Sequence, residues 1–300
     1  MLRGHDRRPG LPSIARILAG AAAEWLFLDL SGILTDMTDP VIAPEFAARP
    51  SQARIYDYML GGHNNLPVDR EVGDALLALS PVTRATVVEN RRFLGRAVRF
   101  VAERGIRQFL DVGAGLPTQD NVHQIVQRTA PDARIVYIDN DPAVVAHGQA
   151  LLGGQSNVAI AAGDLRQPAD ILALPEVRRL LDLSQPIGLL LLAILYFILD
   201  DEDPHAMVAR LRGALAPGSY LVISHGTTDT LPADQLAEGT KIYNRASGVT
   251  LRSRAQIEPF LEGLDLVDPG LVLASHWRPE GPLPAADETP AMLGAVGMVR

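Results

Sequence analysis

From Ile106 onward, short apolar runs alternate with longer stretches in which apolar residues recur every three or four positions. "IRQFLDV", "ARIVYIDND", "NVAIAAGD", the run Ile187–Ile194 and "SYLVISH" read as strands, and "AMLGAVGMVR" as a last one. Between them, "TQDNVHQIVQRTA" predicts a helix beginning near Thr118, and Asp141–Pro142 supplies the N-cap and first turn of another. Residues 168–181 read as helical or irregular. Asp203–Pro204 opens a helix to about Leu215, stopped by Pro217–Gly218, and "SRAQIEPFLEG" predicts a helix kinked at Pro259. Strands alternating with helices in this way predict βαβ units and a mainly parallel sheet.

The upstream pattern is different. Val88, Leu94, Val98 and Val101 recur at roughly helical spacing across Pro81–Arg104, which predicts one long amphipathic helix ending near Gly105. "SQARIYDYML" predicts a short helix over Ser51–Leu60, closed by Gly61–Gly62. On that helix Arg54 and Tyr58 stand four apart and share a face, with Tyr56 pointing elsewhere. Residues 1–50 form no convincing unit and are punctuated by Pro40, Pro44 and Pro50. The expected organisation is a partly irregular extension over 1–49, a helical lid or docking region over 50–104, and an α/β core over 105–300.

Composition narrows the class. The formal charge of −8 argues against a general nucleic-acid binder, which needs a cationic footprint. The chain has no cysteine, which excludes disulfides, thiolate metal sites and cysteine nucleophiles and fits a cytoplasmic location. The most apolar run, Ile187–Leu199, is thirteen residues long, too short to span a membrane as a helix. It reads as a buried strand running into an active-site loop. The arginines, apolar stretch and small residues near the N-terminus loosely imitate a signal peptide, but Arg16 and the prolines interrupt it, so an extension or surface helix is expected.

The candidate chemistry lies at the strand ends. In "FLDVGAGLPT", Gly113 and Gly115 permit a tight turn and close backbone approach to a ligand, with Ala114 between them. Asp139 and Asn140 close the second strand, Asp139 lying 24 residues after Gly115, where an acceptor for ribose hydroxyls belongs. Gly163, Asp164 and Leu165 follow the third strand, near where an adenine edge would lie. A dinucleotide fingerprint requires a third glycine where Thr118 stands, and Pro117 removes a donor from the turn. Asp111 directly before the turn would repel a phosphate but could pair with an amino group. Ribose, adenine and a cationic amino-acid tail together describe S-adenosylmethionine better than NAD.

The sequence resembles the S-adenosyl methyltransferase family found largely in actinobacteria and long catalogued as a domain of unknown function. The likeness runs from about Pro50 to Arg300. It is carried by "RIYDYMLGGHNN", "NRRFLGRAVRFV", "IRQFLDVGAGLPT", "VYIDNDPAV", "ALAPGSYLVISH" and "GLVLASHWRP". The resemblance implies a Rossmann-like, seven-stranded class I fold with its last strand antiparallel beside the fifth. It makes Asp111, Gly113 and Gly115 cofactor-loop residues, Asp139 the ribose acid and Asp164 the adenine-side acid.

Direct methyl transfer to a small-molecule acceptor is then the expected reaction, with His225, His63, Tyr196 and Tyr243 as candidate catalytic groups. Arg54, Tyr58 and Asn65 are expected to approach the cofactor from above the sheet. No metal-ligand pattern stands out, and no metal is expected. Three alternatives stay open: an NAD-dependent oxidoreductase, a non-catalytic module that binds the same cofactor, and a plain structural α/β domain that binds neither. The oligomeric state is not legible.

Overall fold

The computed structural model describes residues 48–80, 82–117, 120–285 and 289–300. Nearly all of the expected extension, and the expected helix starts at Pro81 and Thr118, lie outside the described residues.

Eight strands form one sheet: β1 Gln108–Val112, β2 Arg134–Asp139, β3 Val158–Ala162, β4 Gly188–Leu192, β5 Tyr220–Gly226, β6 Leu264–Leu266, β7 Val272–Leu273 and β8 Met292–Val299. Their spatial order is β3-β2-β1-β4-β5-β8-β6, with the two-residue β7 pairing to β8 off this path. The first five run parallel. β8 is antiparallel to β5 over the register Tyr220↔Met298 to Gly226↔Met292, and β6 pairs with its other side. Seven strands therefore lie on the main path, and the last is inserted beside the fifth.

The helices are α1 Gln52–Met59, α2 Pro67–Leu79, α3 Val82–Glu103, α4 Val122–Gln127, α5 Pro142–Leu152, α6 Pro168–Ala173, α7 Pro175–Leu180, α8 Pro204–Arg212, α9 Ala233–Tyr243 and α10 Arg254–Ile257. The Asp141 and Asp203 side chains cap α5 and α8 by accepting from backbone N–H groups, with Pro142 and Pro204 in the first turns. At Pro259 the expected kinked helix passes from α10 into a short 3-10 helix, Glu258–Leu261. Neither α2 nor α9 is anticipated by the sequence reading.

Side-chain alternation divides the core into two layers. Phe109, Leu190 and Val222 face one side of the sheet with Phe93, Val98 and Val101 of α3. Leu110, Leu189, Leu191 and Ile223 face the other side with Met207, Val208 and Leu211 of α8. Both faces of β1 and β4 are thus covered, which is why "GLLLL" carries no polar alternation. Trp277, fully buried, sits edge-on between Phe93 and Phe100, and Arg96 donates to the Trp277 and Ala274 carbonyls. The motif around Trp277 therefore anchors α3 to the segment before β8. A third, smaller core joins Ile55 and Met59 of α1 with Val72 and Leu76 of α2, Val87 of α3 and Ile242 of α9.

Candidate functional site

The chain order reverses between β1 and β4, and the crevice beyond their C-terminal ends is where such a sheet takes a ligand. A cavity of about 510 Å³ opens there, bounded by the turns after β1, β2, β3 and β4 and by residues of α1 and the end of α9.

The turn after β1 sets the geometry. Gly113 has φ +77°, and a Cβ there would stand 2.6 Å from Ile194 Cγ1, so the position tolerates only glycine. Gly115, at φ +68°, donates its N–H to Asp139 Oδ2 at 2.8 Å, while Asp139 Oδ1 accepts from Asp141 N at 2.9 Å. The glycine turn of one strand therefore aims the carboxylate of the next. Burial raises the Asp139 pKa, and these N–H donors pull against that shift. Asp111 is buried too; desolvation pushes it up to about 7, with Arg91 lowering it and Asp139 raising it. Among the described residues no hydrogen bond to its carboxylate is present. At the end of β3, Asp164 accepts from Arg166 N at 2.9 Å and from Asn140 Nδ2 at 3.3 Å. Ala114, Gly163 and Leu165 line the same cavity.

Some lining groups escaped the sequence reading. Arg166 donates to Glu202 Oε1 at 2.5 Å and to the Phe197 carbonyl at 3.0 Å, tying the end of β3 to the loop after β4. Ser51, the N-cap of α1, donates its hydroxyl to Asp141 Oδ2 at 2.5 Å and fastens α1 over the β2 turn. Ser51→Ala removes both the cap and this charged hydrogen bond. It is expected to lower stability by about 1–2 kcal/mol, read from the urea midpoint at an unchanged denaturant slope.

The opening segment needs correction. Arg54 lines the cavity, but its Nε donates to buried Asp69 at 2.6 Å and its Nη2 to the Arg49 carbonyl, so it pins α1 to α2. Tyr58 does not line the cavity: its hydroxyl donates to Asp74 of α2 at 2.5 Å and its ring lies against Gly73. Tyr56, expected to point elsewhere, is the tyrosine that lines it. Packing of α2 on the Tyr58 side of α1 reverses the assignment. Asn65 donates to Asp57 and to the Gly62 carbonyl, closing the loop after α1 outside the cavity, and His63 is exposed outside it as well.

Of the four candidate catalytic groups, Tyr196 and Tyr243 line the cavity and His225 does not. His225 is fully buried behind Tyr196, the rings meeting edge to face at 5.7 Å. Its Nδ1–H donates to the Gly226 carbonyl at 2.7 Å, so Nε2 must accept from Arg252 at 3.0 Å. Burial and the Arg252 charge hold its pKa down to about 4, against the Gly226 hydrogen bond. A folded pKa below the unfolded one means that this contribution to stability is lost as pH falls from about 6.5 through about 4. Its partners are structural.

Among the described residues no group of three or more His, Asp or Glu is placed to hold a metal ion, and no helix is long and apolar enough to cross a membrane. The sheet also separates the nucleotide readings. A dinucleotide sheet runs 3-2-1-4-5-6, whereas here an antiparallel strand stands between β5 and β6.

Residues 45–300 match the family described as S-adenosyl methyltransferase. The crystal structure of a methyltransferase-like protein from Thermobifida fusca YX superposes with a TM-score of 0.81 at 38% identity, covering 86% of this chain and 98% of its own. A DUF574-family protein from Streptomyces avermitilis MA-4680 gives 0.80 at 41% identity, covering 85% and 99%. No curated protein matches the chain. With a class I Rossmann-like sheet and the matched family spanning the whole of it, this chain belongs to the S-adenosyl methyltransferase family and uses S-adenosylmethionine as its methyl donor.

Proposed function

We propose that the cleft beyond β1 and β4 holds S-adenosylmethionine and delivers its methyl group to a small molecule enclosed beneath α1. The convergence of three buried or half-buried strand-end carboxylates on one cavity carries this reading. Asp139 would accept from the ribose hydroxyls, Asp164 and Leu165 would flank the adenine, and the Gly113–Gly115 turn would pass beneath the nucleoside. Asp111, a buried carboxylate with no hydrogen bond among the described residues, fits a cationic amino group. Bound S-adenosylmethionine supplies a methyl already activated by a sulfonium, so alignment and exclusion of water are the tasks left to the protein. Tyr56, Tyr196, Phe197 and Tyr243 wall the acceptor end of the cavity. A chain without cysteine suits action in the cytoplasm.

The Asp111 assignment predicts a pH dependence. Below about 7 the ligand-free carboxyl is protonated, and an ammonium partner favours its ionised form. Affinity for S-adenosylhomocysteine should therefore rise about 10-fold between pH 6 and pH 8. The ligand-free protein shows the opposite linkage. A carboxyl raised above its unfolded value contributes stability below about 3.8 and loses it as pH rises through about 7. The thermal shift given by the ligand should accordingly be larger at pH 8. Titration calorimetry at both pH values, with Asp111→Asn as control, checks this. An affinity that is flat with pH in the wild type overturns the assignment. Methyl transfer to any acceptor in a small-molecule screen excludes the purely regulatory module.

A further inference from the structure

Away from the strand-end carboxylates, the cavity has an aromatic end built from three parts of the chain. Tyr56 comes from α1, Tyr196 and Phe197 from the loop after β4, and Tyr243 from the end of α9. The Tyr196 and Phe197 rings lie 4.5 Å apart, tilted by 59°, and the Phe197 and Tyr243 rings 6.3 Å apart at 64°.

Its polar groups are incompletely satisfied. Tyr56 donates its hydroxyl to the Val87 carbonyl at 3.2 Å, so the same oxygen must accept from Asn90 Nδ2 at 2.9 Å. That orients the Asn90 amide and leaves Asn90 Oδ1 buried with no hydrogen-bond partner, although Asn90 lines the cavity and is only 4% exposed. The hydroxyl of Tyr196, itself 6% exposed, has no hydrogen-bond partner among the described residues, and neither has that of Tyr243. The enclosed Asn90 oxygen costs the fold about what a lost hydrogen bond does, whereas the two phenol hydroxyls border the cavity, where a ligand is the natural partner. The phenol oxygens can accept, and the ring faces carry negative potential. These features favour positive charge and disfavour an anion.

We propose that the methyl acceptor is an amine, its nitrogen seated against Tyr56, Tyr196, Phe197 and Tyr243. This rests on the methyltransferase reading of the cleft. The amine first gives up its ammonium proton to water; its freed lone pair then forms the new N–CH3 bond as the C–S bond breaks, and that bond's electrons remain on sulfur, which becomes a neutral thioether. Positive charge passes from sulfur to nitrogen and is met there by the ring faces. A tertiary amine keeps the charge as a quaternary ammonium; a primary or secondary amine releases a proton to water.

The test uses the full chain saturated with S-adenosylhomocysteine, so that no sulfonium competes for the aromatic walls. Choline and its uncharged isostere 3,3-dimethylbutan-1-ol are titrated in parallel, with benzyltrimethylammonium and phenylacetate as a second pair. Each cation should bind about 10-fold tighter than its partner. Tyr196→Leu and Tyr243→Leu should each erode that preference, while Tyr196→Phe, which keeps the ring, retains it. Equal affinities, tighter binding of the alcohol or the anion, or no cation binding in protein that takes S-adenosylhomocysteine normally all overturn the amine assignment. The comparison within the wild-type protein stands even if a variant fails to fold. Failure to bind S-adenosylhomocysteine at all removes the underlying reading instead.

Discussion

Arg252→Ala is expected to cost about 3–5 kcal/mol of stability. Arg252 is 1% exposed, and every arm of its guanidinium is engaged. Nη1 donates to the Leu195 carbonyl at 3.1 Å and to His225 Nε2 at 3.0 Å; Nη2 donates to the Ile198 carbonyl at 3.0 Å and to Asp200 at 2.6 Å. The Asp200 side chain is 65% exposed, so the ion pair itself contributes little. What matters is that alanine would leave the Ile198 carbonyl and the His225 Nε2 without donors, and the Leu195 carbonyl with only the Ile198 N–H. These carbonyls belong to the loop that carries Tyr196 and Phe197 into the cavity, so the aromatic wall should loosen with them. A lysine places one point charge where a fork is needed and should recover only part of the loss. Urea unfolding of the two variants decides the matter. A loss below about 0.5 kcal/mol for alanine would mean that the loop is held by something else.

Asp139→Ala is expected to weaken S-adenosylhomocysteine binding about 100-fold, or about 2.7 kcal/mol. The carboxylate has two tasks in the proposed site. It receives the Gly115 and Asp141 N–H groups, which shapes both turns, and it presents a charged acceptor at the cavity wall. Hydrogen bonds to a charged group contribute about 1.5–3 kcal/mol each. Asp139→Asn keeps one acceptor oxygen and should lose less, about 10-fold. Calorimetry of the folded variants measures both. An unchanged dissociation constant for the alanine variant would remove Asp139 from the site.

The sheet was legible because its signals are local. Apolar runs as dense as "GLLLL", glycines after "FLDV", and acids at the ends of "VYID" and "AIAAG" each report a strand end without knowledge of the rest of the chain. Asp111, Gly113, Gly115, Asp139 and Asp164 accordingly all border one cavity. Even α2 left a trace: Pro67 at the first turn, Asp69 accepting from the Leu66 N–H, and Val72 and Leu76 four apart.

The lid resisted because its answer is tertiary. Arg54 and Tyr58 do stand four apart on α1, yet Asp69 and Asp74 of α2 take both of them, and Tyr56 turns to the cavity. No periodicity within fifteen residues can announce which neighbour will claim a side chain. His225 misled for a related reason. A histidine ending β5 looks like a base at the cleft mouth, but Arg252, 27 residues later, draws its imidazole inward as an acceptor. Arg166 and Glu202 were missed because their pairing spans 36 residues and leaves no local pattern.

The central claim is that this cleft is the S-adenosyl site, and the most direct test is calorimetric titration of the full chain with S-adenosylhomocysteine and, separately, with NADH. Saturable one-to-one binding of S-adenosylhomocysteine is expected, severely weakened by Asp139→Ala, with no heat from NADH. Saturable NADH binding by folded protein that ignores S-adenosylhomocysteine would contradict it.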